Sequence, residues 1–248
     1  MRSFSTKALT TPGEQAGPQP LSPAQEGLWF VQRLAPLSTA YHLARVFHLR
    51  GRADISALEQ ALNVVRARQA VLRTRFAERD GKPFQIVDAP ADVPLPLTDL
   101  SSLQADARDE ALAEALAHEA QQPFDLAAEG AIRLRVFAMS AQWNVLSVVA
   151  HHLVTDGTST AIFARELAHA YGRIVRDETV PELPGLTWQY ADFAAWQRDM
   201  LASDKARVDV AWWTEYIGSP HAGFELPVDF TRAPTQQRQA RTHTFTLT

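Results

Sequence analysis

The chain has 248 residues, 46% hydrophobic and 21% charged, with a net charge of −4 and an isoelectric point near 6.1. These values exclude general disorder, no apolar run approaches the roughly 20 residues a transmembrane helix needs, and nothing basic invites nucleic acid or an anionic membrane. Cysteine is absent, so disulfides, thiolate metal sites and a cysteine nucleophile are excluded as well.

Residues 1–20, MRSFSTKALTTPGEQAGPQP, mix Pro, Gly, Ser, Thr and Gln without a continuous apolar stretch. They read as a flexible linker rather than a secretory signal, which makes the cytoplasm the expected setting. Order is expected from Leu21. Ser22, Pro23 and Gln25 have the spacing of a capped helix start, with Leu28, Val31 and Leu34 on one face. Tyr41 to Leu49 is rich in β-branched and aromatic residues and reads as a strand ending near Gly51. Asp54 caps a second helix, in which Ile55, Leu58, Leu62 and Val65 recur at helical spacing.

VLRTRFAE and PFQIV, joined through Asp80 and Gly81, predict a hairpin over residues 71–87. The alanine-rich, charged stretch 101–122 predicts a surface helix stopped by Pro123. Two strands follow, Ile132 to Ala138 and Trp143 to Ala150, the second apolar enough to be buried on both faces. Phe163, Leu167, Ala170, Tyr171 and Ile174 mark a helix starting near Thr158 or Ser159. RDETVPELPG, residues 176–185, is a candidate boundary between lobes. Tyr190, Phe193, Ala194 and Gln197 then share a helix face, a further helix carries Trp212, Trp213 and Tyr216, and an irregular stretch runs over 218–234. The alternation of RTHTFTLT, residues 241–248, predicts a strand, and an unpaired edge there suggests that the fold continues past Thr248. The fold class is therefore α/β, a mixed α+β sheet with flanking helices. It divides into a linker over 1–20, a first lobe over 21–178 and the beginning of an incomplete second lobe over 179–248.

One stretch stands out for chemistry. AHHLVTDGTS, residues 150–159, joins the most apolar strand to a helix start, where a rigid element delivers a side chain and a loop leaves it reachable. On strand alternation His151 and His152 point to opposite sides, so one ring can face a cavity while the other packs. Two readings stand on these residues alone. Either an imidazole is presented for chemistry, or both rings are hydrogen-bonded core groups and Asp156 caps the next helix. A zinc site is disfavoured, since opposite-facing neighbours do not reach one ion and no second His cluster is evident. No G-x-S-x-G elbow points to a serine hydrolase.

His151, His152, Asp156 and Gly157 resemble the HHxxxDG motif of the condensation domains of nonribosomal peptide synthetases, in the chloramphenicol-acetyltransferase-like superfamily. Three further segments, in the family's order, are similar to its motifs: LSPAQEGLWFVQRLAPLSTAYH over 21–42, RQAVLRTRF over 68–76 and YADFAAWQ over 190–197. PFDLAAEGAIRLRV precedes the histidines much as in the family. The sequence departs from the pattern at Gln69 and Ala70, where the second motif usually has His-Glu, and at Thr158, where a larger residue is frequent.

The resemblance implies a reaction in which the amine of a carrier-bound aminoacyl group attacks the thioester of a carrier-bound acyl or peptidyl group. An α-amino group with a pKa near 7.7–8.0 is partly protonated at neutral pH, and imidazole suits the task of taking or holding its proton. By analogy His152 is the catalytic residue, as general base or as the group that orients the amine and stabilises the tetrahedral intermediate. His151 is expected to point into the fold and support the loop. Asp156 is expected to be a structural carboxylate paired with an arginine, with helix capping as the alternative. Gly157 reads either as room for a pantetheine arm or as an ordinary turn glycine, and Arg73 either as a support of the site or as an exposed strand-edge cation. Tyr190, Asp192, Phe193 and Trp196 look architectural. No cofactor or metal is expected on the chain itself, because the resemblance implies substrates delivered on 4′-phosphopantetheine. The partners it implies are an upstream donor and a downstream acceptor carrier domain and other synthetase modules. The rival functions are an epimerisation domain, another HHxxxDG acyltransferase, or a noncatalytic carrier-binding half domain.

Overall fold

The most apolar segment of the sequence sits at the centre of a four-stranded sheet. The computed structural model describes residues 17–176, 185–218, 227 and 229, and the chain divides into two compact units, Met1–Ser203 and Asp204–Thr248. In chain order the first unit holds β1 (Pro18–Pro20), α1 (Pro23–Leu34), β2 (His42–Arg50), α2 (Ile55–Arg68), a 3-10 turn (Ala70–Arg73) and the hairpin β3 (Thr74–Arg79) and β4 (Lys82–Val87). Next come β5 (Leu97–Asp99), α3 (Ala105–Gln121), β6 (Ile132–Ser140), β7 (Trp143–His151), α4 (Gly157–Val175) and α5 (Tyr190–Leu201). One sheet has the order β2-β7-β6-β5, antiparallel except for β5 beside β6, and the other has the order β1-β4-β3.

Several local choices explain these elements. Ser22 and Gln25 form a reciprocal capping box at α1, with Pro23 in its first turn. Asp54 accepts a hydrogen bond from the Ala57 amide at 2.9 Å and starts α2. Asp80 and Gly81, at φ 52° and 73°, supply the two left-handed residues of a type I′ turn that fixes the β3–β4 register.

The structure differs from the sequence reading in three places. Pro18–Pro20, expected in the linker, form β1 and pair with Phe84 to Ile86 of β4; as an edge strand β1 tolerates residues without an amide proton. Residues 70–73 coil into the 3-10 turn, so β3 begins at Thr74 rather than Val71. β5 is only three residues long, too short for alternation to show, and it pairs parallel to β6. α5 lies in the first of the two compact units. Of the expected boundary stretch over 176–185, residues 177–184 lie outside the described residues, as do the terminal strand over 241–248 and residues 1–16.

β7 is covered on both faces. Leu146 and Val148 pack with Leu58, Leu62 and Val65 of α2 and with Phe163, Leu167 and Ala170 of α4. Val145 packs on the other side with Phe137, Met139, Leu100 and Leu112 of α3. Toward the end of the strand, Val149 meets Leu21, Trp29, Phe76 and Phe124. Each such side chain contributes about 1.5–3 kcal/mol on burial, enough to hold the strand and whatever stands at its end. In the second unit α6 (Asp204–Ile217) presents Val208, Trp212, Trp213 and Tyr216 to solvent, and Trp212 stacks on Tyr216 one turn later at 5.1 Å between ring centroids.

Candidate active site

The last residue of β7 is His151, and the two imidazoles have opposite surroundings. His151 is fully buried. Its Nδ1 accepts the Leu153 amide proton at 3.1 Å, which leaves the ring proton on Nε2, 3.4 Å from the Gln32 side-chain oxygen. Gln32 in turn donates to the Pro36 carbonyl at 2.8 Å. The His42 ring stands 5.9 Å away and the Phe124 ring 6.4 Å. Burial above all, then the neighbouring His42 and His152, pushes the His151 pKa down to about 4, so the ring is neutral at pH 7. It ties α1 to the loop after β7.

His152 is exposed. Its amide donates to the Tyr41 carbonyl at 2.9 Å, extending the β2–β7 pairing by one residue, and its ring lies edge-on to Tyr41 at 6.4 Å. Strand alternation turns it away from the Gln32 side and into a cavity of about 750 Å³. Tyr41, Asp156, Ser159, Trp188 and Tyr190 line the same cavity. A second, mainly apolar cavity of about 430 Å³ shares Gln69, Val71, Val154, Thr155, Ser159 and Trp188 with it. A reachable imidazole beside such a space can accept, donate or hold a proton on a bound amine.

Asp156 caps α4. Its Oδ1 accepts from the Ser159 amide and from the Ser159 hydroxyl, each at 2.7 Å. The hydroxyl bond, followed by the amide bond, holds the carboxyl below the usual aspartate range. Its side chain caps α4 and, among the described residues, pairs with no arginine or lysine; the arginine that the resemblance implies belongs to the second lobe and has no assigned position in this chain. Gly157 is the first residue of α4, without a left-handed φ, and a Cβ built on it meets nothing within 4 Å. Among the described residues, nothing fills the space beside it.

Arg73 lies elsewhere. It is 8% exposed, not an exposed strand-edge cation, and its guanidinium donates to the Asp88 carbonyl. The cavity it lines shares no residue with the one at His152. It is therefore not a wall of this site. The aromatic segment of α5 does reach it: Tyr190 and Phe193 line the cavity, and the Tyr190 hydroxyl is 3.0 Å from that of Ser22. Asp192 accepts from the Gln189 amide at 2.9 Å and starts α5, and Trp196 packs its ring near those of Trp188 and Phe193.

Residues that sequence reasoning passed over hold the wall together. Gln189 accepts from the Ala70 amide at 3.0 Å and donates to the Arg68 carbonyl at 2.9 Å, fastening the start of α5 to the 3-10 turn and to the end of α2. Glu166 on α4 pairs with Arg68 and accepts from Gln69 at 3.0 Å on both oxygens. A signal for Glu166 existed: it is a carboxylate on the helix face that carries Phe163, Leu167 and Ala170, and a charge on a buried face needs partners. Among the described residues no group of three His, Asp or Glu side chains converges as a metal site, and no helix is long and apolar enough to cross a membrane.

Comparison with known proteins agrees with the motif. The family model described as "Condensation domain" matches residues 15–248. The chain belongs to the condensation-domain family. It is 36% identical over 230 residues to a phosphinothricin tripeptide synthetase of Streptomyces viridochromogenes, a match covering 93% of this chain and 19% of that protein. Other relatives of this condensation-family chain are nonribosomal peptide synthetases of Alternaria alternata and Curvularia clavata. Among solved structures it is similar to the X-domain of teicoplanin biosynthesis in complex with OxyB, at 30% identity and TM-score 0.78, covering 94% of this chain and 50% of that one. It is also similar to the first condensation domain of the calcium-dependent antibiotic synthetase with a substrate analogue, at 26% identity and TM-score 0.69, covering 82% and 48%. The fold is thus that of the chloramphenicol-acetyltransferase-like condensation domains, and the chain spans about half the length of these solved relatives.

Proposed function

We propose that this chain is the N-terminal portion of a peptide-bond-forming condensation domain. It acts on two substrates carried on 4′-phosphopantetheine, one from an upstream donor carrier and one from a downstream acceptor carrier. The acceptor amine attacks the donor thioester carbonyl, a C–N bond forms, the C–S bond breaks, and the proton lost by nitrogen ends on the departing thiol. His152 meets the attacking nitrogen, as base or as hydrogen-bond partner that positions it, while neutral His151 fixes the loop from behind. The observation that carries this reading is the contrast within the pair: one ring fully buried and bonded on both nitrogens, its neighbour exposed in a cavity of about 750 Å³. Gly157 leaves open space beside the α4 N-terminus where a pantetheine arm or substrate backbone can pass.

The test is product identity. The complete parent domain and the 248-residue chain are each given a loaded donor carrier and a loaded acceptor carrier, and the carriers are analysed by mass. The reading predicts that the complete domain moves the acyl group onto the acceptor amine. Donor that is only hydrolysed, or only epimerised, contradicts it. A second reading, a half domain whose role is to bind a protein partner, is favoured by the likeness to an X-domain solved as a complex with OxyB. It gains support if the complete domain binds carriers or another protein tightly and turns over neither carrier.

A further inference from the structure

A separate cavity of about 540 Å³ carries an unusual charge balance. Five guanidinium groups line it, those of Arg66, Arg73, Arg75, Arg133 and Arg135. Three carboxylates oppose them, Asp88, Glu119 and Glu129, so the lining holds two more positive charges than negative ones. Two of the carboxylates are engaged. Arg75 grips both oxygens of Asp88 at 2.7 Å, and Arg135 holds Glu119 at 2.7 Å.

The excess lies toward Arg66, on which no carboxylate acts, whereas Glu129 and Glu119 both act on the charge of Arg133. Arg66 donates to the Ala91 carbonyl at 3.4 Å, a long contact. Arg133 donates to the carbonyls of Gln122 and Pro123 and lies over the Phe124 ring at 4.0 Å, while its Nε is buried without a hydrogen-bond partner. Burial first, and then the charge of Arg73, holds the Arg66 pKa below the usual arginine range. Concentrated, partly desolvated guanidinium groups suit oxyanions, whose oxygens match the planar fork.

We infer that this cavity binds a phosphate-type oxyanion, at a site distinct from the His152 cavity, with which it shares no residue. The anion offsets the excess positive charge of the lining, with Arg66 as its principal donor. The phosphate belongs either to a free ion such as diphosphate or to the phosphate end of a pantetheine arm.

The experiment titrates the 248-residue chain at fixed ionic strength, with chloride as the control, using diphosphate, inorganic phosphate, 4′-phosphopantetheine and unphosphorylated pantetheine. Calorimetry and melting temperature are read together, since a ligand of the folded state alone raises the melting point. A saturable rise above chloride is expected for a phosphate-bearing ligand. Diphosphate bound more tightly than phosphopantetheine assigns a free anion, and the reverse assigns the carrier arm. Arg66→Gln is expected to weaken binding at least about tenfold, the equivalent of one 1.4 kcal/mol step, and to melt no lower than the wild type without anion. Arg66→Lys, which keeps the charge and loses the fork, falls between them and serves if Arg66→Gln folds poorly. No saturable rise above chloride, unchanged affinity in both variants, or equal binding of pantetheine with and without phosphate overturns the inference.

Discussion

The middle of β7 and its C-terminal end follow the same alternation to different results. At Val145 to Val149 both faces meet packed side chains, from α2 and α4 on one side and from the α3 side on the other. At the end only one face stays covered. His151 is buried against Gln32 and Phe124, while His152, one residue on, opens into a cavity. The strand core fixes the position of the backbone, and because the cover stops at one residue His152 stands open where His151 is enclosed.

Substitutions along this line separate the two regions, the largest effects first. Leu146→Ala, in the doubly covered part, is expected to lower unfolding free energy by about 2–5 kcal/mol in a denaturant titration. Acid comes next. An unfolded His151 titrates near 6.5 and the folded one near 4, so the unfolded chain takes the proton first. Stability from this group is full above pH 6.5, falls as pH drops toward 4 and then levels off, a loss of about 3 kcal/mol. Denaturant titrations at pH 7 and pH 4.5 check it, and His151→Gln is expected to flatten that part of the slope. Gln189→Ala cuts one bond from the start of α5 to the 3-10 turn at Ala70 and one to the end of α2 at Arg68, and is expected to cost about 1–3 kcal/mol, with faster amide exchange at Ala70. Asp156→Ala removes the α4 cap for about 0.5–2 kcal/mol, read as a lower melting point. His152→Ala is expected to leave stability within about 0.5 kcal/mol of the wild type. If it destabilises as much as His151→Ala, the comparison between the two rings fails.

Much of this was legible in the sequence. The Ser22–Gln25 box, the Asp80–Gly81 turn and the double-faced burial of β7 follow from local chemistry and periodicity, and the structure shows each of them. The four motifs led to the condensation family, which the family model matches over 15–248. What escaped depends on long-range contacts. β1 exists only because β4 is beside it, 64 to 68 residues later in the paired positions. Asp156 could have sought an arginine or a helix end, and only the turn at Ser159 shows which partner it takes among the described residues. Arg73 belongs to the same motif as Gln69, yet the 3-10 turn sends it to a different cavity from that residue, four positions before it. No periodicity reports a turn of that kind.

The proposal that the exposed imidazole, and not its buried neighbour, meets the reacting amine is tested by the single-turnover rate of amide formation between loaded donor and acceptor carriers, in the complete parent domain carrying His152→Ala, with melting temperature recorded on the same sample. The expected result is a rate lower by about a hundredfold or more, the scale of a lost acid–base group, at an unchanged melting temperature. A rate equal to the wild type in a fully folded variant would contradict it.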